Sequence, residues 1–191
     1  GIRVRSVSRG LGDVYKRQSI RDKHEDLQCY IIKKYEEEHD MQLIDVLDER
    51  IIDLNAEAAN KEEVLTLLAG KLKDAGYIAD VEAFKKDIYL RESEGTTGIG
   101  NYIAIPHGKS DSVTQVGIAI AKLKHEIEWE TLDDKGVRLV FLFAVSNDHE
   151  YARNHMLLLA DIARKLGNDE AVERLLQVEN VEELKEIFAG K

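Results

Sequence analysis

A layered α/β domain is the fold class this sequence predicts, and three observations predict it. From residue 41 onward, short apolar runs alternate with longer segments of helical period. The run Val137 to Val145 is apolar except at Arg138, the pattern of a central strand, and Val116 to Ala121 reads as a second buried strand. Helix starts and stops are marked by capping residues: Asn60, Asp80, Asp169 and Asn180 at openings, Gly76 and Gly167 at ends.

Taken in order, Ile51 to Leu54 is expected to form a short strand. Asn60 caps a helix from Lys61 to Ala75, with Glu62 and Glu63 in the first turn and Val64, Leu67, Leu68 and Leu72 on one face. Asp80 opens a helix over 81–91 with Val81, Phe84 and Ile88 as apolar positions, and a glycine-rich loop follows. Ile103 to Ile105 is continuously apolar, as a strand covered on both faces requires. Ile127 to Trp129 is expected as a short edge element and Asp133 to Gly136 as a turn. Three helices complete the chain: Tyr151 to Leu166, Asp169 to Val178 and Val181 to Ala189. No linker, repeat or low-complexity tract interrupts residues 41–191, which are read as one domain.

The 191 residues allow one domain with a sizeable core, and no apolar run approaches the roughly 18 residues of a membrane span. The single cysteine, Cys29, excludes an intramolecular disulfide and a cysteine-based zinc cage. Net charge is -10 and uneven: residues 1–18 carry +4, residues 19–40 carry -3, and residues 41–191 carry -11. A body this acidic repels a nucleic-acid backbone and favours basic partners, although an acidic surface also serves solubility alone.

Residues 1–40 are expected to be a non-native or translated upstream extension, disordered or loosely helical. The string Arg9 to Gln18 resembles translated adapter sequence. Glu36-Glu37-Glu38, shortly before Met41, can be encoded as a ribosome-binding sequence, which places the native start at Met41. A genuine amphipathic helix is the alternative, since Leu27, Tyr30, Ile31 and Tyr35 fall near helical spacing.

The stretch Thr97 to Gly108 reads as a site. Pro106, the only proline, fixes its own φ and biases Ile105 toward extended geometry, so the strand is expected to stop there and leave His107 at its end. Gly108 would then let backbone approach the ring. Gly100, the triplet Ile103-Ala104-Ile105 and Pro106-His107-Gly108 resemble the signature of the fructose/mannitol-type (type 2) EIIA domain of the bacterial sugar phosphotransferase system. Arg91-Glu92 before the histidine and His155 at the opening of the apolar helix Met156 to Ala160 match as well, and the resemblance covers residues 41–191.

The resemblance implies a three-layer α/β fold, a mixed sheet flanked by helices on both faces. It implies a cytoplasmic phosphotransferase component that uses no cofactor and no metal. His107 would accept a phosphoryl group from the carrier HPr at Nε2 and pass it to a cysteine of EIIB, which works with a membrane EIIC. Neither nucleic acid binding nor direct membrane insertion is implied. No cysteine follows Met41, so a cysteine-bearing EIIB must be another chain.

Imidazole suits a relay because it is a nucleophile near neutral pH, and a contact to one ring nitrogen fixes which nitrogen attacks. The transferred group carries close to two negative charges. Arg91 is the candidate that compensates them, through charge-assisted hydrogen bonds typically worth about 1.5 to 3 kcal/mol; the alternative is a surface ion pair with Glu92 or Glu94. Thr97, Gly98 and Gly100, with Thr96, are candidate donors to the phosphoryl oxygens, unless the loop is simply a turn. His155 is the second site histidine implied, placed at a helix N-terminus that favours an anion; His149 stays open as the alternative. Asn101, six positions before His107, stands where the mannitol branch carries an acid, which points to the fructose-like branch.

Three other functions compete. A nitrogen-type regulatory EIIA uses the same chemistry to control other proteins. A phosphate-binding loop at Gly108-Lys109-Ser110 fails, because the position needing the first glycine is Ile103. A metal hydrolase using His107, Asp148, His149 and His155 lacks the helical His spacing such sites use.

Overall fold

A computed structural model of the chain describes residues 47–147 and 149–190, and for 149–157 the helical backbone alone. The expectations for residues 1–40 lie outside the described residues. After a short 3-10 turn at Glu49–Ile51, the elements are β1 (Ile52–Ala56), α1 (Lys61–Asp74), α2 (Val81–Glu94), β2 (Gly98–Gly100), β3 (Ile103–Ala104), β4 (His107–Ser110), β5 (Gly117–Ile127), β6 (Val137–Ser146), α3 (His149–Leu166), α4 (Asp169–Gln177) and α5 (Val181–Ala189). The strands form one mixed sheet in the order β1-β5-β6-β3-β2, with β4 also on β6. β1 runs parallel to β5, β5 antiparallel to β6, and β3 and β4 parallel to β6.

From Leu139 onward the strand period of two sorts the side chains of β6 between two cores, and Val137, beyond a register irregularity in the β5–β6 pair, falls out of that alternation. Val137, Val140, Leu142 and Ala144 join one core with Leu65, Leu68 and Leu72 of α1 and Phe84 and Ile88 of α2. Leu139, Phe141, Phe143 and Val145 join the other with Leu158 and Ile162 of α3, Leu175 of α4 and Phe188 of α5. The chain is therefore an α/β fold of three layers, a mixed sheet with helices on both faces. The α1/α2 face of the sheet carries Ala104, Ala119, Ala121 and Ala144 beside Leu123, Val140 and Leu142, and the other face Ile103, Ile118, Ile120, Phe141 and Phe143.

Helix starts follow capping chemistry. Asn60 accepts from Glu63 N, Asp80 from Glu82 N and Ala83 N, and Asn180 from Glu183 N. α4 opens at Asp169 as expected, and its cap is Asn168, which accepts from Ala171 N.

Other expectations need correction. The strand does not end at Pro106. Pairing with β6 resumes at once, with His107 opposite Phe143 and Ser110 opposite Ser146. Pro106 is a gap in one edge line rather than its end, because proline cannot donate to the ladder but its carbonyl still accepts from Phe143 N at 3.0 Å. Ile127 is the last residue of β5, and residues 128–129 form no edge element. The segment Gly98–Gly100, read as loop, pairs with β3 as a tight hairpin whose turn residues Asn101 and Tyr102 both have positive φ, 54° and 64°. Helix α3 begins at His149, before the expected Tyr151.

Candidate functional site

The break at Pro106 shapes the surroundings of His107. With no proline N–H to pair there, the backbone turns so that the Ile105 carbonyl faces the ring two residues on, and His107 Nδ1 lies 3.1 Å from Ile105 O. A carbonyl only accepts, so Nδ1 carries the proton and Nε2 is left with its lone pair. On the other side, Arg91 Nε donates to His107 Nε2 at 2.9 Å. One acceptor and one donor thus define a single neutral tautomer of a half-buried ring.

Arg91 reaches this position from the last turn of α2, and its Nη1 also donates to Gly95 O at 3.1 Å. It forms no ion pair with Glu92 or Glu94; those alternatives give way to the bond to His107. Gly108 serves a purpose other than the expected one. A methyl group there would lie 2.8 Å from Ile88 Cγ1 and 3.1 Å from Phe84 Cε2, so its bareness lets α2 lie directly on β4 rather than clearing space for the ring. This contact sets the distance from which Arg91 spans to His107.

The polar groups at the start of the hairpin are engaged by other parts of the protein. The Thr97 hydroxyl donates to Glu92 Oε1, the Thr96 hydroxyl donates to Glu130 O, and Gly98 N donates to Thr96 Oγ1 at 3.2 Å. Gly98 lies so close to Glu130 and Thr131 that a methyl group would fall 2.4 Å from Glu130 O. Gly100 sits opposite Ile103 in the β2–β3 pair. Of the sequence-derived candidates, the structure brings Arg91 to His107 and turns Thr97 and Gly98 toward other partners.

Glu92, which the sequence offers as part of the Arg91-Glu92 match and as a surface partner for Arg91, instead has a buried carboxylate, its side chain 7 % exposed. Lys61 Nζ donates to its Oε2 at 2.5 Å and to Glu130 Oε2 at 2.9 Å, and lies 4.6 Å from the centre of the Trp129 ring. A neighbouring contact between the same helices pairs Lys85 Nζ with Glu62 Oε1 at 2.6 Å. The Tyr89 hydroxyl also donates to Glu62, and burial together with that carboxylate pushes the phenol well above its usual value. Sequence reasoning missed the Ile105 carbonyl, Lys61 and the anchoring contacts of Glu92. Only the first had a signal, since a missing N–H at Pro106 frees the preceding peptide to turn.

His155 and His149 both lie on α3, and their side chains fall outside the described residues. The helix N-terminus is at His149, which puts His155 in the second turn, so the helix-end argument does not apply to His155. Among the described residues, no three His, Cys, Asp or Glu side chains converge as a metal site, and no helix is long and apolar enough to cross a membrane.

A mixed sheet between two helical layers thus presents a histidine, on the edge strand that resumes after a proline, to an arginine from the end of a helix. The solved complex of enzyme IIAMtl and phosphorylated enzyme IIBMtl from Escherichia coli aligns with a TM-score of 0.64 at 26% identity, over 76% of this chain and 98% of that one. The nitrogen regulatory protein IIA-Ntr of Neisseria meningitidis shares the fold, with a TM-score of 0.69 at 24% identity over 76% of this chain and 98% of its own. Residues 45–191 match the family described as phosphoenolpyruvate-dependent sugar phosphotransferase system, EIIA 2, and the chain belongs to that family.

Among relatives, the fructose-specific EIIA component of Haloferax volcanii is 31% identical over 139 residues, 73% of this chain and 89% of its own length. The fructose-specific EIIABC component of Bacillus subtilis is 35% identical over 149 residues, 78% of this chain. The chain spans only 23% of that longer relative.

Proposed function

We propose that the chain is a phosphocarrier that accepts a phosphoryl group from phospho-HPr on His107 Nε2 and passes it to a cysteine of a separate EIIB during uptake of a fructose-family sugar by a membrane EIIC, in the cytoplasm. The observation that carries this reading is the fixed tautomer: Nδ1–H on the Ile105 carbonyl and the Nε2 lone pair facing Arg91.

The Nε2 lone pair attacks phosphorus in line while the bond from phosphorus to the donor breaks. The ring then carries a positive charge with its proton still on Nδ1, and the Ile105 carbonyl stabilises that N–H throughout. When a thiolate attacks the loaded phosphorus, the P–N bond breaks and the ring leaves as the same neutral tautomer. No proton has to enter or leave Nδ1 in either direction. Arg91 has two tasks in sequence. In the unloaded protein its Nε–H occupies the Nε2 lone pair, so it must pivot as the donor docks, and its planar guanidinium then meets the phosphoryl oxygens.

His155 is proposed as the second contact. Position 155 lies three and seven residues before Leu158 and Ile162, the α3 residues packed against the sheet face that Phe143 shares, and His107 pairs with Phe143. Thr97, Gly98 and Gly100 act in this account by shaping the hairpin that precedes His107. The sugar-specific relatives support transport over nitrogen-type regulation, since the likeness to IIA-Ntr extends to fold.

The test is incubation with phosphoenolpyruvate, enzyme I and HPr followed by intact mass measurement. One acid-labile phosphoryl group that requires HPr and disappears in His107→Ala is expected. Failure of folded protein to load would overturn the reading.

A further inference from the structure

Glu92 is a buried carboxylate with no place in the phosphoryl relay itself, and its contacts converge on the residue that does have one. The Thr97 hydroxyl and Lys61 Nζ bind its two oxygens, so the residue just before β2, the first residue of α1 and the last turn of α2 meet at one charge. Lys61 extends the cluster to Glu130 and the face of Trp129. A buried charge held this way is strongly tied to its partners, since removing one leaves the other uncompensated. The backbone then carries the constraint onward. Glu92 O accepts from Gly95 N at 3.3 Å, Gly95 O accepts from Arg91 Nη1 at 3.1 Å, and Arg91 Nε donates to His107 Nε2 at 2.9 Å.

We propose that Glu92 is a positioning residue, its carboxylate anchoring the last turn of α2 so that Gly95 and then Arg91 are held beside the nucleophilic nitrogen of His107, at the point from which the guanidinium pivots onto the phosphoryl oxygens. The inference rests on the phosphocarrier reading for its effect on rate, but its geometric part does not. The last turn of a helix has carbonyls without intrahelical partners and frays readily. Arg91 works from that turn, so an anchor one residue further on decides how precisely the guanidinium is aimed.

The experiment uses the full chain with Glu92→Gln, which keeps the shape and removes the charge, and Thr97→Val, which removes one donor and leaves the carboxylate and Lys61 in place. Hydrogen exchange of the Arg91 Nε–H, read by NMR, reports the contact to His107 directly, and loading by phospho-HPr reports its consequence. In Glu92→Gln, exchange is expected to speed up and the loading rate at saturating donor to fall roughly ten- to a hundredfold, with KM unchanged. Thr97→Val should move both in the same direction by less, and it decides the question if Glu92→Gln does not fold. Wild-type Arg91 exchange and wild-type loading in a folded variant would overturn the proposal. Should wild-type protein take up no phosphoryl group while Arg91 exchange still responds to the substitutions, the phosphocarrier reading fails and the positioning role stands.

Discussion

Arg91 Nε and His107 Nε2 lie 2.9 Å apart although 16 positions separate them in the chain, and the bond joins the end of a helix to the start of an edge strand. It exists because α2 rests on β4 at Gly108, which fixes how far the guanidinium must reach. Arg91→Ala should leave the fold intact, weaken the preference for the Nδ1–H tautomer, and slow loading roughly ten- to a hundredfold. Arg91→Lys keeps the charge but loses the planar fork, and should recover only part of the rate. Nitrogen chemical shifts of the His107 ring and single-turnover loading check both.

Gly108→Ala should destabilise the domain by about 1 to 3 kcal/mol, because a methyl group 2.8 Å from Ile88 Cγ1 forces α2 away from β4. The urea midpoint should fall with an unchanged slope. Loading should slow as well, since the same displacement carries Arg91 away from His107.

Tyr102 sits at φ 64°, a conformation costly to a residue with a β-carbon, in the two-residue turn between β2 and β3. Its ring lies 5.3 Å from Lys135 Nζ, an exposed contact of small value. Tyr102→Gly should therefore stabilise the domain by up to about 1 kcal/mol, after the greater entropy loss of glycine on folding is counted. A thermal melt that shows a lowered midpoint would refute this.

Asp48 is held down to about 2 from the ordinary 3.8, chiefly by its hydrogen bonds with the Arg50 side chain, supported by the Arg50 amide and the Tyr77 hydroxyl. A depressed carboxylate stabilises the folded state fully above its unfolded value and loses that contribution as pH falls through the folded value. Urea midpoints of wild type and Asp48→Asn should thus differ most above pH 4 and converge toward about pH 2. A constant difference across that window would show that the ionised form contributes nothing.

The layered fold was legible because capping residues and apolar runs mark local structure, and the cores that α1 and α5 enter follow from their period. β4 was not legible. His107-Gly108-Lys109-Ser110 has no strand pattern of its own and pairs only because β6 extends past Pro106 and offers an edge. Gly98 to Gly100 reads as loop for the same reason, its pairing being supplied by β3. At the site, His107 and Arg91 stood out through the motif they share with the family, whereas Glu92 beside an arginine reads as half of a surface ion pair. Its burial depends on Lys61 at the start of α1 and Thr97 just before β2, which no local pattern announces.

The central claim is that phosphoryl transfer occurs at Nε2 of His107, with the Nδ1 proton held on Ile105 O. Protein carrying 15N-labelled histidine, loaded from phospho-HPr, should show phosphorus coupled to a single ring nitrogen. The account predicts that this nitrogen is Nε2 of His107 and that Nδ1 remains protonated. Phosphorus bonded to Nδ1, or to any other histidine, would contradict it.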